Sequence, residues 1–274
     1  NNQRMGCAAS KAAAATSSEA DLKALAGLSD LDKAKLSAAL EGPAKNGKKI
    51  ILAHGWYPRH PWGEEKWHVS LQKHLESKGC TCVPDMKPAE NVAPPEAHIK
   101  AFADLVGEVD ENTYFVAFSM GNHVTMRFLQ TLAEKKIKIG GYIAVGCWME
   151  PRGWKYEPEE AAKSFTALTN WKDLDKEKLN AVVPKMMMLI GKKDPVVFAN
   201  TEIGQTKNIE NWKSVFGDKV EVQMFDFIKD AQDDGEKKGP EWDQVPAYLF
   251  RDHLVFIDLD KEHLDVIDKF VGLP

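Results

Sequence analysis

The sequence predicts an α/β protein: a doubly wound, mostly parallel sheet with helices on both faces, preceded by a short helical extension. Three observations carry this. Short apolar, β-branched runs alternate with stretches of helical periodicity from about residue 49 to the end. Chemistry-bearing groups fall where strands should stop: His54-Gly55-Trp56, Ser119 and Asp194. In open parallel sheets that rim is where ligands bind. The run Thr113-Tyr114-Phe115-Val116-Ala117-Phe118 breaks at Ser119 and resumes as Asn122-His123-Val124-Thr125-Met126-Arg127-Phe128-Leu129. A serine between strand and helix, with small residues two before (Ala117) and two after (Gly121), is the pattern of a nucleophile elbow. The turn is so sharp that larger side chains at those positions would collide with it.

Residues 1–18 are rich in Ala and Ser and lack any acid until Glu19, which reads as a tail. Residues 19–47 read as a helical extension and linker. Ser18-x-x-Asp21 and Ser29-x-x-Asp32 are capping-box-like starts, and Gly42-Pro43 breaks the pattern. The main domain spans 48–274. Strands are expected at 49–53, 80–83, 113–118, 141–147, 186–190 and 220–225. Helices are expected at 65–78, 94–106, 121–136, 173–181, 201–215 and 263–271. Trp67, Leu71 and Leu75 form one apolar stripe, and Ile99, Phe102 and Leu105 another. The segment 229–243 is polar and acidic and reads as a loop.

The chain has 274 residues, a formal net charge of −5 and 28% charged residues. That is enough length for one sizeable core, and it carries no basic footprint for nucleic acid. Four cysteines without a framework, and no Asn-x-Ser/Thr sequon, point to a reducing, cytoplasmic setting. No metal-ligand spacing and no phosphate loop is visible, so no cofactor is expected.

A serine hydroxyl needs a base to become nucleophilic, and the base needs a carboxylate to fix its tautomer. On this fold the chain order should be Ser, acid, His. Ser119, Asp194 in Gly191-x-x-Asp194, and His253 before the last helix satisfy it. His263 is the second candidate for the base and Asp226 for the acid. The Met120 N–H would stabilise a developing oxyanion. The second donor would be the Trp56 N–H, from the loop after the first strand. Trp148 and Trp154 would wall the substrate pocket.

These residues resemble the α/β-hydrolase superfamily, and within it the small serine hydrolases of the retinoblastoma-binding protein nine and YdeN type. The carriers are Trp67 to Leu75 followed by Gly79; Ala117-Phe118-Ser119-Met120-Gly121 with Met126-Arg127-Phe128; Gly191-Lys192-Lys193-Asp194-Pro195; and Asp252-His253. The resemblance implies a triad of Ser119, Asp194 and His253. The substrate it implies is a small ester, thioester or amide, cleaved through an acyl-enzyme. Two positions depart from the family pattern. Ala117 stands where the elbow usually has Gly, and Asp252 where Gly usually precedes the histidine. They keep a second class open: a catalytically inactive binding or scaffold protein on the same fold.

Met5-Gly6-Cys7-Ala8-Ala9-Ser10 fits an N-myristoylation signal, with Cys7 placed for a second, palmitoyl anchor. The reading requires Met5 to be the true start, so that Gly6 becomes the acceptor. It implies peripheral membrane attachment through the N-terminal lipid.

Overall fold

The computed structural model describes residues 46–55, 67–84, 93–150, 159–192, 194, 196, 202–225, 259 and 261–274. The predicted tail and extension therefore lie outside the described residues, apart from Asn46 and Gly47. So do Gly6 and Cys7.

In chain order the elements are β1 (Lys49–Ala53), α1 (Trp67–Ser77), β2 (Thr81–Pro84), α2 (Pro95–Val106), β3 (Thr113–Phe118) and α3 (Gly121–Ala133). They continue with β4 (Gly141–Val145), α4 (Glu159–Thr169), α5 (Lys176–Val182), β5 (Met186–Gly191), α6 (Glu202–Phe216), β6 (Val220–Phe225) and α7 (Lys261–Val271). The six strands form one sheet in the order β2-β1-β3-β4-β5-β6, every pair parallel. The strand order reverses direction between β1 and β3, which puts a topological switch point beside the elbow strand.

The central strands are buried on both faces, so they read as continuous apolar runs. Alternate residues serve two cores. Ile51, Phe115, Tyr142, Met186 and Met188 face the layer that holds Phe102 of α2, Leu129 of α3, Leu179 of α5 and Trp212 of α6. Ile50, Leu52, Val116, Ile143 and Leu189 face Leu71 and Leu75 of α1 and Ile267 and Phe270 of α7. This is the two-sided helix cover that the alternation predicts. On α2 the fully buried positions are His98, Phe102 and Val106, four apart; Ile99 and Leu105 of the expected stripe flank them.

Helices that cross back over a parallel sheet end at the amino-terminal rim of the strands. Their last carbonyls lack intrahelical partners there. Lysines at the strand starts fill the need. Lys49 Nζ donates to the Val106 carbonyl at 2.5 Å and to Glu108 at 2.9 Å. Lys219 Nζ donates to Asn180 at 3.1 Å and Val183 at 2.8 Å, and Lys185 Nζ to Phe270.

One element differs from expectation. The stretch 148–184 was expected to hold a single helix, whereas α4 precedes a short 3-10 turn at Trp171–Asp173 and then α5. Among the described residues, no helix is long and apolar enough to cross a membrane.

Candidate active site

Ser119 follows the last residue of β3, and its φ is 48°. Left-handed backbone costs a non-glycine residue roughly 1–2 kcal/mol, so it survives only where its surroundings enforce it. The enforcement is visible. The Ser119 N–H donates to the Val145 carbonyl of β4 at 2.9 Å. Its own carbonyl accepts from the Asn122 N–H at 3.1 Å and from Asn122 Nδ2 at 2.7 Å. Asn122 is wholly buried, and its Oδ1 accepts from the Tyr142 hydroxyl at 2.7 Å. Asn122 thus ties the elbow to β4 with both ends of its amide.

The two small positions have separate reasons. A Cβ at Gly121 would lie 2.2 Å from the His54 carbonyl oxygen, so helix α3 can begin against the end of β1 only with glycine there. Ala117 lies in register between Ala53 on β1 and Ala144 on β4, all three fully buried. That row of methyl groups leaves room for the turn, which is how the alanine is accommodated where the pattern usually has glycine. Gly55, in the loop after β1, sits over the elbow: a Cβ there would meet Phe118 at 3.2 Å and Ser119 at 3.5 Å. The loop after β1 therefore passes next to the serine at Gly55. Met120, at 3% exposure, occupies the position just before the first residue of α3.

Asp194 follows β5, two strands from the elbow strand, and is buried. Its Oδ1 accepts from the Val196 N–H at 2.8 Å. Burial pushes the neighbouring Cys147 thiol well above its ordinary range, and the Asp194 carboxyl adds to the rise. A thiol held protonated in this way is no rival nucleophile.

Trp148, just after β4, is 1% exposed, and its Nε1–H points at Ser119 Oγ, 3.4 Å away. Its carbonyl accepts from His123 Nε2 at 3.0 Å. A carbonyl only accepts, so the His123 proton sits on Nε2. Burial, with Arg127 nearby, lowers the His123 pKa to about 3, so the ring is neutral. Asn208 of α6 holds the same loop, donating to the Cys147 carbonyl at 2.8 Å and accepting from the Met149 N–H at 3.3 Å. Gln205 Nε2 reaches the Gly191 carbonyl at 2.7 Å, and Asn208 Nδ2 donates to Gln205 Oε1 at 3.2 Å. Two amides on one helix thereby connect the Trp148 loop to the strand that leads to Asp194.

The structure brings Trp148 to Ser119 and sets Met120 and Asp194 on the same rim. His253, Trp56 and Trp154 lie outside the described residues. Of the other histidines, His54 is buried with Nδ1 3.1 Å from the Gly55 carbonyl, and burial lowers its pKa. His74 Nε2 meets Asp268 Oδ1 at 2.8 Å. The ring of His263, the second candidate for the base, packs on Phe225 at 4.3 Å. Asn122, Gln205 and Asn208 escaped the sequence reading. A polar amide at helical spacing reads as surface, and only the strict smallness of the positions around Ser119 hinted that α3 begins buried.

A strained serine between a parallel strand and a helix, at the carboxyl rim beside the switch point, defines the architecture. The fold is that of the α/β-hydrolases. Among solved structures, the Bacillus subtilis ydeN gene product is similar with a TM-score of 0.52 at 16% identity, over 82% of this chain and 99% of that one. A structure from work on LipS and LipT, two metagenome-derived lipolytic enzymes, has a TM-score of 0.53 at 12% identity, over 84% and 95%. No family model matches this sequence, and no curated protein does. The likeness is one of α/β-hydrolase fold, and the reading of the chemistry rests on the residues.

Proposed function

We propose that the protein is a serine hydrolase that cleaves a small ester, thioester or amide through an acyl-enzyme. Ser119 attacks the carbonyl. His253 takes its proton and returns it to the leaving group, and Asp194 orients His253. The backbone N–H groups of Trp56 and Met120 hold the oxyanion. Water then enters by the reverse sequence and frees the acid. Two donors aimed at a developing oxyanion can lower the barrier by roughly 3 kcal/mol each.

The observation that carries this reading is the left-handed backbone of Ser119, braced by Asn122 and fitted under Gly55 and against Gly121. Strain of this kind is kept where a side chain must be presented. The similarity in fold to a structure from work on lipolytic enzymes agrees with hydrolysis of an ester. Substrate class, triad and oxyanion donors stand on the residues of this chain. Attachment to a membrane through Gly6 and Cys7 is a separate part of the proposal. It is checked by asking whether Gly6→Ala, in a chain started at Met5, leaves the membrane fraction.

The test is steady-state hydrolysis of p-nitrophenyl acetate by the purified protein. Ser119→Ala and Asp194→Asn should each reduce kcat at least about a thousandfold, since each removes part of one unit. The inactive-scaffold alternative, kept open by Ala117 and Asp252, instead expects no turnover in the wild type.

A further inference from the structure

Trp148 stands directly beside the oxygen that would carry the acyl group. In any acyl-enzyme the acyl carbon is one bond from Ser119 Oγ. The acyl chain must therefore share the immediate surroundings of that oxygen through both chemical steps, whereas the leaving group departs after the first. The indole Nε1 stands 3.4 Å from Oγ, and the side chain is 1% exposed. The ring packs on His123, centroids 4.5 Å apart, and on Phe165, 5.6 Å apart. The backbone on both sides of it is pinned: Cys147 and Met149 to Asn208, and Trp148 itself to His123. A tryptophan packed against two rings and pinned at three backbone groups does not swing away to admit a longer chain.

We infer that Trp148 is the residue that limits acyl-chain length at Ser119, favouring short acyl groups over long ones. This deepens, and rests on, the hydrolase reading above. The indole does more than fill space. It is a donor only, so Oγ accepts from Trp148 and the serine's own proton is not aimed at the indole nitrogen. A long acyl chain would have to displace both the ring and this hydrogen bond. Trimming the ring to a methyl group leaves a void on the order of 150 Å³, large enough for a benzene-sized group. Phe165 and His123 would line it.

The experiment compares wild type, Trp148→Ala and Trp148→Leu on p-nitrophenyl acetate, butyrate and octanoate. Fluorophosphonate labelling of Ser119 is run alongside, and circular dichroism checks each fold. Wild type should lose at least tenfold in kcat/KM from acetate to octanoate. Trp148→Ala should flatten or reverse that ratio, by tenfold or more. Trp148→Leu should move it the same way by less, and it carries the comparison if the alanine variant does not fold. Trp148→Phe, which keeps the ring and loses the N–H, should retain the short-chain preference. The inference is overturned if labelled, folded variants keep the wild-type ratio, or if wild type takes octanoate as readily as acetate. A wild type that does not label at all would overturn the hydrolase reading itself, and this inference with it.

Discussion

The two rims of the sheet solve the same problem in opposite ways. At the amino-terminal rim, carbonyls left over at helix ends are met by long, partly exposed lysines: Lys49, Lys185 and Lys219. Lys48 and Lys185 also lie over the Tyr114 ring, at 5.2 and 5.3 Å. At the carboxyl-terminal rim, backbone groups are met by short, buried, neutral side chains: Asn122, His123, Gln205 and Asn208. A lysine tether costs side-chain entropy, stays near water and tolerates a shifted partner. A buried amide tolerates almost nothing, because any unpaired end is costly. The difference teaches where the molecule needs accuracy. The lower rim only has to finish helices, while the upper rim has to keep one serine in a conformation it would not choose.

This comparison can be broken most severely at Gly121. In Gly121→Ala a methyl group would lie 2.2 Å from the His54 carbonyl oxygen, and the obstacle is backbone. The expected loss is about 3 kcal/mol or more, read by urea denaturation, together with loss of hydrolysis. Asn122→Ala comes next. It leaves the Tyr142 hydroxyl with only a long contact, 3.5 Å, to the backbone carbonyl of residue 122, and it removes a donor from two carbonyls. A loss of about 2–3 kcal/mol is expected, with a fall in kcat as Ser119 relaxes.

Acid should probe the upper rim before the lower one. The folded-state pKa of His123 is lowered to about 3, by burial first and Arg127 second. Unfolded histidine titrates near 6.5, so below that value the unfolded chain binds a proton that the folded chain refuses. Stability from this group is complete above pH 6.5 and falls continuously as pH drops toward 3. Between pH 6.5 and 5 the loss is about 2 kcal/mol. His54 and His98, also lowered by burial, act in the same direction. Denaturation midpoints across pH 5–8 should show this slope, and His123→Phe should flatten it by up to one proton. The smallest effect belongs to the lower rim. Lys219→Met should cost about 1 kcal/mol or less and leave kcat unchanged.

The rims also differ in how far they could be read in advance. The six strands, the helices around them and the elbow were legible because each is a local pattern: an apolar run, a 3.6-residue stripe, a small-x-Ser-x-Gly turn. Helix α4 was missed because its large apolar residues are only Phe165 and Leu168, both buried, too narrow a stripe to stand out in the sequence. Asn122 and Asn208 were missed for a different reason. Whether an amide is a surface group or an internal brace depends on what packs over it, and that is fixed by residues far away in the chain. Trp148 was expected near substrate, and it lies beside Ser119, but its hydrogen bond and its clamp of His123 and Phe165 are tertiary facts. His253 and Trp56 remain readings from sequence, since both lie outside the described residues.

The central claim, that the strained serine is an activated nucleophile, is tested most directly by treating the native protein with a fluorophosphonate and mapping the adduct by mass spectrometry. The account predicts a single phosphonylated peptide modified at Ser119, absent in Ser119→Ala and strongly slowed in His253→Ala. No adduct, or one on another residue, would contradict it.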